Sequence, residues 1–382
     1  MDCALAGSCG GCPSLGARAL ADQRRDKVAS LRAALGWQGP AALADVGDAG
    51  IRERLDVQLR RDGERVLIGL AAREDPKLGG SPAEVRTTGA GLSPKTIVDM
   101  ARCPLAAPAL EGWLVELRAD PPPVARASLR LRVGVDGRRG LWLDVAHADV
   151  KALLDEAAWL ARTTTKAHVE LGPKAREVRV EGGVARLVPP SLGPWSATWI
   201  GGREAPLASR VADFTQPGRR ANRALVEAVM QHVGATGAAR WLELGAGAGN
   251  LTLPLAARCD VRAVELDGEA LRHNLGAHAP RGPVAIVAQS FTRAGDVAAL
   301  VMGRDAILAD PPRSGLGPFV DGLAGLAPSL RPGHLVYVSC HLEALARDAA
   351  ALARAGYRAV AVDGVDQFPH SAHAEWIVTL AR

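Results

Sequence analysis

From about residue 239 onward, short apolar segments alternate regularly with helical segments. A helix predicted over 218–233 precedes them, and the apolar segments lie near 239–245, 261–266, 283–288, 304–309 and 334–339. This alternation is typical of a parallel sheet covered by helices on both faces. Only 11 residues, without a helical pattern, separate the last two segments, 358–363 and 375–381. They predict an antiparallel strand pair at the sheet edge.

The first half of the chain has a different pattern. A helical rhythm over 17–36 places Lys27 on the outside, and alternating apolar residues over 51–71 predict a β-hairpin. Connecting loops are expected at Pro121–Pro123 and 189–207, and further short strands at 127–134, 140–145, 167–171 and 176–188. We therefore expect an α+β, sheet-rich domain over 1–204 and an α/β domain over 205–382.

The composition is that of a soluble globular protein, with 48% hydrophobic and 23% charged residues. No apolar stretch approaches the roughly 18 residues that a membrane helix needs, and the first residues do not resemble a secretory signal. These features predict a cytoplasmic protein that does not associate with a membrane. We infer no obligate protein partner from the sequence. The net charge of +5 favours a partner that carries phosphates, although a coding bias towards arginine explains it equally well.

A glycine-rich loop follows the first apolar segment of the second half. Glycines at 245, 247 and 249 allow a sharp turn and a close approach of a ligand to the backbone. Their spacing differs from that of a dinucleotide site. Glu265 ends the next predicted strand, where a carboxylate accepts hydrogen bonds from ribose hydroxyls. Loop and glutamate together predict a nucleoside-cofactor site that includes Gly245, Gly247 and Glu265; the alternative is a glycine-rich turn with a surface glutamate.

Three more motifs lie at or near strand ends. They are Asp310-Pro311-Pro312-Arg313-Ser314-Gly315, Tyr337-Val338-Ser339-Cys340, and the segment from Phe368 to Glu375. Ligand sites in such sheets form beyond the carboxyl ends of the strands. We therefore expect one crevice to contain Gly245, Glu265, Asp310 and Cys340. Taken singly, Cys340 would more often be an inert buried thiol, and Glu375 a solvated carboxylate.

A cysteine and a carboxylate in that crevice suit one chemistry in particular. Carbon 5 of uracil is a poor nucleophile, but a thiolate that adds to carbon 6 makes carbon 5 electron-rich. A few per cent of a free cysteine is thiolate near neutral pH. After a methyl group is transferred, a base within about 3 Å must remove the carbon 5 proton before the thiol can leave.

The glycine loop resembles the first motif of Rossmann-like methyltransferases that use S-adenosylmethionine (AdoMet). Together the motifs over 212–380 resemble the RNA uracil-C5 methyltransferases, a family with a transfer-RNA enzyme and two large-subunit ribosomal-RNA enzymes. The resemblance implies that Cys340 is the nucleophile and Glu375 the general base. It also implies that Arg313 helps to hold the geometry of the site, and that AdoMet contacts Gln216, Gly245, Glu265 and Asp310.

The sequence departs from the family pattern at four places. Pro217-Gly218 follows Gln216 where the family has asparagine one residue further on, Gly245 replaces an aromatic residue, Gln289-Ser290 replaces an acidic residue, and His341 replaces asparagine. None of these changes removes a group that the chemistry needs. They bear on cofactor affinity rather than on the type of reaction.

Four of the six cysteines form a candidate metal site. Cys3, Cys9, Cys12 and Cys103 supply four thiolates, enough for an iron–sulfur cluster or a zinc site, and their spacing does not separate the two. The resemblance to the ribosomal-RNA enzymes implies a 4Fe–4S cluster. Because all four positions are cysteine and leave no open iron for a substrate, we expect its role to be structural. Cys259 is left over and is expected to be structural.

A base inside a duplex cannot receive both a thiol and a methyl group, so the target uridine must be flipped out or lie in a loop. Phe214 and Phe368 are candidates for base stacking or for simple core packing. Candidate phosphate contacts, or merely solvated charges, are Arg24, Arg25, Arg52, Arg54, Arg60 and Arg61.

The cluster cysteines begin at Cys3, so we expect no oligonucleotide-binding barrel before them. A chain with the cluster but without the barrel is most similar to the shorter of the two 23S ribosomal-RNA enzymes, so ribosomal RNA is the expected partner. Three alternatives stay open: the same reaction on transfer RNA, an AdoMet enzyme that acts on an amino group, and a non-catalytic iron–sulfur protein that binds RNA.

Overall fold

The computed structural model describes residues 1–73, 96–291 and 296–382. These residues form two compact units, each built from separate segments: 1–18, 47–196 and 209–219 in the first, and 19–46, 197–208 and 220–382 in the second. The division is less simple than the single cut after residue 204 predicted from the sequence. It differs because an early helix and strand, within 19–46, pack with elements that lie more than 300 residues further along the chain.

The elements are numbered along the chain. The helices are α1 (Leu20–Leu35), α2 (Pro108–Ala119), α3 (Asp149–Asp155), α4 (Ala157–Thr164), α5 (Arg219–Thr236), α6 (Thr252–Ala256), α7 (Glu269–His278), α8 (Val297–Val301), α9 (Pro318–Gly325) and α10 (Leu342–Arg354). The strands are β1 (Ala42–Ala44), β2 (Arg54–Asp62), β3 (Arg65–Ala71), β4 (Ile97–Asp99), β5 (Arg126–Val133), β6 (Arg139–Asp144), β7 (His168–Leu171), β8 (Arg176–Glu181), β9 (Val184–Val188), β10 (Gly193–Ile200), β11 (Arg203–Ser209), β12 (Arg240–Leu244), β13 (Asp260–Glu265), β14 (Val284–Ala288), β15 (Ala306–Ala309), β16 (His334–Ser339), β17 (Arg358–Val365) and β18 (Glu375–Ala381).

The first unit is built on a mixed sheet in the order β4-β3-β2-β5-β6-β7-β8-β9. The predicted hairpin is confirmed as β2 and β3, which pair antiparallel. Along β2, every second residue points into the core, and Leu55, Val57 and Leu59 are buried there. The alternation follows from the two-residue period of a strand. Helix α2 covers this core with Trp113 and its neighbours.

The second unit contains an eight-stranded sheet in the order β1-β17-β18-β16-β15-β12-β13-β14. Strands β12 to β16 are parallel to their neighbours among themselves, as predicted, and β18 is antiparallel to both β16 and β17. Every residue of β15 is buried, as is typical of a sheet covered on both faces. The antiparallel pair is confirmed, but its predicted place at the edge is wrong, because β1 pairs with β17 and forms the edge.

Two further sequence expectations are corrected. The segment 189–207, expected to be a loop, contains β10 and most of β11, which pair with each other. The alternation of buried Trp195, Ala197 and Trp199 was the available signal, followed by a turn at Gly201-Gly202, where both φ angles are positive. Lys27, expected on the outside of α1, is 4% exposed because its ammonium group pairs with buried Asp366.

In the described part of the chain, none of the helices has the length and apolar character required to cross a bilayer.

Candidate active site

Strand register places Cys340 opposite Glu375. The antiparallel pair of β16 and β18 ends with Ser339 aligned to Trp376, so the next residue of each strand is the thiol and the carboxyl, respectively. On the other side of β16, the parallel pairing of Ala309 with Tyr337 places Asp310, the residue after β15, at the same end of the sheet. The structure thus brings these three predicted site residues together at the carboxyl ends of β15 and β16.

The Cys340 thiol is held in its neutral form in the free protein. Its pKa is raised to about 11, by burial first and also by the carboxyls of Glu375 and Asp310, while the Arg313 guanidinium, hydrogen-bonded to the thiol, acts in the opposite direction. The thiolate fraction of Cys340 in the free protein is therefore smaller than that of a free cysteine at the same pH. Added positive charge is needed to favour the thiolate.

The Glu375 carboxyl is 5% exposed. Burial, and then the neighbouring Asp310, raise its pKa to about 8, while Gln367 and Arg313 lower it. The Gln367 amide donates a hydrogen bond of 2.7 Å to Glu375 Oε1. Burial also raises the pKa of Asp310 to about 7. Both carboxyls therefore titrate close to neutral pH, which is where a group that accepts and releases protons is most effective.

The glycine loop packs tightly against the end of β15. Gly245 has a φ of +81°, and a Cβ added there would lie 2.9 Å from the Asp310 carbonyl oxygen. A side chain at this position would therefore require the end of β15 to shift. The Gly247 amide donates to Glu265 Oε2 at 2.8 Å, and a Cβ on Gly247 would meet no atom within 4 Å. The loop therefore leaves open space beside Gly247.

Glu243 is a site residue that the sequence analysis missed. It is 2% exposed, and its Oε2 has no hydrogen-bond partner among the described residues. Burial raises its pKa to about 8, Thr252 lowers it, and Asp310 and Glu265 raise it. An acidic residue inside an apolar strand, two positions before Gly245, was the available signal. A buried carboxyl beside two others favours a cationic ligand.

Asp348 fixes the loop that carries Arg313. Its Oδ2 accepts hydrogen bonds from the Tyr337 hydroxyl at 2.8 Å and from the Leu316 amide at 2.7 Å. Gly315, at φ +82°, lies so close to Asp348 that an added Cβ would be 2.4 Å from Oδ2. The loop between β15 and α9 is thus held by a buried carboxylate of α10.

The remaining AdoMet candidate and one stacking candidate lie in the segment 209–219 of the first unit. Gln216 is half-buried there. Phe214 is 68% exposed, so it is not a core residue, and the Arg54 guanidinium lies 4.9 Å from its ring centre. Phe368, the other stacking candidate, lies in the second unit, half-buried, with its ring edge-to-face with His373 at 6.5 Å.

The candidate phosphate contacts differ in how accessible they are. Arg24 binds Asp45 and Asp366, and the side chain of Arg54 is largely buried. Arg52 is half-buried and lines a cavity with the cysteines. Arg25, although paired with Asp22, is exposed, as is Arg61, and Arg60 is half-buried. The last three are therefore the more accessible candidates.

Cys3, Cys9, Cys12 and Cys103 line one small cavity in the first unit. Burial raises the pKa of Cys9, of Cys103 and, to about 11, of Cys12. Among the described residues, no group of three or more His, Cys, Asp or Glu side chains is arranged to hold a metal ion. The cavity thus gathers the four predicted ligands without a preformed metal geometry. Cys259 lies apart, half-buried near the end of α6.

The chain is similar in sequence to RNA methyltransferases. No protein-family model matches the chain. An uncharacterized RNA methyltransferase of Bdellovibrio bacteriovorus is 34% identical over 394 residues, which cover 100% of this chain and 95% of the relative. The 23S rRNA (uracil(1939)-C(5))-methyltransferase RlmD of Alkalilimnicola ehrlichii is 32% identical, covering 84% of this chain and 70% of the relative.

A solved structure supports the fold. The tRNA (uracil-54, C5)-methyltransferase of Pyrococcus abyssi, in complex with S-adenosyl-L-homocysteine, matches with a TM-score of 0.67 and 19% identity, over 98% of this chain and 86% of that one. The predicted Rossmann-like methyltransferase fold, preceded by a sheet-rich domain, is confirmed by this match. Taken with the two relatives, it leads to one conclusion: the chain belongs to the RNA uracil-C5 methyltransferase family.

Proposed function

We propose that the protein methylates carbon 5 of a uracil in 23S ribosomal RNA, with AdoMet as the methyl donor. The observation that carries the proposal is the register of β16 and β18, which sets Cys340 opposite Glu375. A nucleophile and a base facing each other beside a methyl donor are the two groups that this reaction needs. The names of the RlmD relatives support ribosomal RNA as the substrate.

AdoMet fits the glycine-loop end of the sheet. Its binding residues would be Gly245 and Gly247 in the loop, Glu265 for the ribose, and Asp310. The unpartnered Oε2 of Glu243 supports this assignment, because AdoMet carries positive charge on its sulfonium and ammonium groups. When bound, AdoMet supplies the methyl group.

Cys340 would start the reaction. Its sulfur bonds to carbon 6 of the uracil, and the electron pair of the carbon 5–carbon 6 double bond becomes available at carbon 5 for methylation. The Arg313 guanidinium favours the thiolate, because it is the cation hydrogen-bonded to the sulfur. A positively charged methyl donor close by would favour the thiolate further. The thiol would therefore be activated when the site is filled.

Glu375 would complete the reaction. Its carboxylate takes the proton from carbon 5, the carbon–hydrogen electron pair restores the double bond to carbon 6, and the carbon–sulfur bond breaks, returning its electrons to Cys340. A base whose pKa is raised by burial holds the abstracted proton well. Burial of Glu375 therefore suits the role.

The four cysteines Cys3, Cys9, Cys12 and Cys103 would hold a 4Fe–4S cluster. Their sulfur donors suit iron–sulfur as well as zinc, and they already line one cavity. The cluster would connect the residues before α1 to the segment that follows β4. Its role would be structural, since all four positions are cysteine and leave no open iron for substrate.

The target uridine must lie in a loop or leave its duplex to reach both groups. Exposed Phe214 would supply a stacking surface for an unpaired base, and Arg25, Arg60 and Arg61 would contact phosphates. Stacking on one exposed ring is worth about 1–3 kcal/mol, enough to matter for binding.

A direct experiment tests the proposal. The protein is incubated with methyl-labelled AdoMet and, separately, with unmodified 23S ribosomal RNA and transfer RNA transcripts, and the digested RNA is analysed for 5-methyluridine. We expect 5-methyluridine in ribosomal RNA only, and none with Cys340→Ala. Product in transfer RNA alone would refute ribosomal RNA as the substrate. Methyl transfer retained by Cys340→Ala would indicate methylation of an amino group. RNA binding without any methylated product would refute the proposal that the protein is an enzyme.

A further inference from the structure

The loop between β17 and β18 leads directly into Glu375 and is anchored at its start. Asp366 and Gln367, its first two residues, are 0% and 1% exposed. Two buried polar residues in a connecting loop are unusual, because each loses its contacts with water. Their partners explain why they are buried.

Gln367 contacts the proposed base directly. Its Nε2 donates a hydrogen bond to Glu375 Oε1 at 2.7 Å, and both side chains are buried. A neutral amide stabilises a carboxylate less than an arginine would, so Glu375 keeps the basicity that proton removal needs. Because the amide binds Oε1, the hydrogen bond fixes the orientation of the Glu375 carboxyl group. Its other oxygen, Oε2, is then available for another contact.

The anchor of Gln367 comes from α1. Lys27 binds Asp366 Oδ1 at 2.6 Å and the Phe368 carbonyl oxygen at 3.0 Å, and Arg24 binds Asp366 Oδ2 at 2.9 Å. The residues on both sides of Gln367 are thus fixed by the same lysine. A buried ion pair contributes little net stability, because desolvation offsets the attraction. Its clear structural effect here is to fix the backbone that carries Gln367.

We propose that Gln367 is a positioning residue for proton removal at carbon 5, and that Lys27 and Asp366 hold it in place. The inference rests on the proposed function and concerns one step only. In that step the Glu375 carboxylate takes the carbon 5 proton, the double bond to carbon 6 re-forms, and Cys340 leaves with the electrons of its carbon–sulfur bond. Attack by Cys340 and methyl transfer come earlier and do not use Gln367.

The consequence is a change in which species accumulates. In Gln367→Met, a side chain of similar length cannot donate a hydrogen bond, so Glu375 is no longer oriented. The methylated covalent adduct between protein and RNA should then decay at least about tenfold more slowly, the loss expected for a misplaced general base. Since the Gln367 amide lowers the pKa of Glu375, the pH profile of adduct decay should also move to higher pH.

The test uses the full-length protein, methyl-labelled AdoMet and an unmodified 23S ribosomal RNA transcript. Reactions are quenched over time, and labelled adduct is separated on a denaturing gel from labelled free RNA. A second transcript contains 5-fluorouridine, from which no base can remove a proton, so it traps the adduct whatever happens to Gln367. Thr379→Val is the matched control, because it removes another buried hydrogen bond of β18, that of Thr379 to His232 at 2.7 Å.

We expect Gln367→Met to form the fluorinated adduct at the wild-type rate, yet to accumulate labelled adduct on ordinary RNA and release it faster at high pH. Lys27→Met, which leaves Gln367 in the chain, should change adduct decay in the same direction, and Thr379→Val should not. Wild-type adduct decay in Gln367→Met, or slow formation of its fluorinated adduct, would overturn the inference. Absence of a fluorinated adduct with the wild type would instead overturn the proposed function.

Discussion

Replacing Glu375 by glutamine should stabilise the protein at alkaline pH while abolishing turnover. The wild-type carboxyl is buried, and its pKa is raised from 4.5 to about 8. A carboxyl whose pKa is raised by folding supports the folded state at low pH, and this contribution is lost as the pH rises from the unfolded value through the folded one. Glutamine has nearly the same shape, can still accept the hydrogen bond from Gln367, and never ionises.

The magnitude follows from those two pKa values. Each pKa unit of difference between the two states is worth about 1.4 kcal/mol. Relative to low pH, ionisation of Glu375 therefore lowers the free energy of unfolding by about 1 kcal/mol at pH 5, about 3 kcal/mol at pH 7 and about 5 kcal/mol at pH 9. The gain from Glu375→Gln should therefore grow by about 4 kcal/mol between pH 5 and pH 9.

The assay is urea unfolding at pH 5, 7 and 9, monitored by amide hydrogen exchange in the peptide that contains β18. This readout measures unfolding of the second unit by itself. Glu343→Gln is the matched control, because the Glu343 side chain is 82% exposed and its replacement should give no pH-dependent gain. A Glu375→Gln gain that stays constant from pH 5 to pH 9 would refute the reasoning, since it would mean that burial does not raise the pKa of Glu375.

Four further outcomes are expected. Arg313→Ala should slow alkylation of Cys340 by iodoacetamide about tenfold at pH 8, because its guanidinium lowers the pKa of the thiol. Asp348→Ala should cost about 2–6 kcal/mol in urea unfolding, because it leaves the Tyr337 hydroxyl and the Leu316 amide unpaired, against about 1 for Tyr337→Phe. Calorimetry in two buffers should show that AdoMet binding releases protons near pH 7, because a bound cation favours the ionised form of nearby carboxyls. Fewer protons should be released when AdoMet binds to Glu243→Gln. Cys12→Ser should lower the iron bound per chain, measured by elemental analysis and visible absorbance.

Much of the second unit could be predicted from the sequence because its signals are local. Each parallel strand is a short apolar run, and Asp310 and Cys340 follow such runs directly. A parallel sheet gathers its carboxyl ends, so the crevice follows from the pattern. The hairpin β10–β11 had equally local signals, alternating buried residues and a Gly201-Gly202 turn, and was missed because proline and glycine near it favoured a loop reading.

What could not be predicted depends on partners that are distant in the sequence. The burial of Lys27 is decided by Asp366, 339 residues away, and the periodicity of α1 alone assigns a lysine to the solvent side. The pairing of β1 with β17 is equally remote. The raised pKa of Cys340 could not be predicted either, because the sequence does not show that Glu375 and Asp310 lie close to its thiol. Electrostatics of a site depend on distances that only the fold supplies.

The three carboxyls near the ends of β12, β15 and β18 lower the stability of the folded protein at neutral pH. Glu243 and Glu375 each have a pKa of about 8 and Asp310 one of about 7, so at neutral pH each weakens the folded state relative to a neutral side chain of the same shape. A neutral side chain would stabilise each of these positions, so the carboxyls suit a requirement other than folding. A cationic methyl donor and a proton in transit are two species that buried, titratable carboxyls favour. The desolvation that destabilises the free protein would therefore favour a cationic ligand and the protonated form of Glu375.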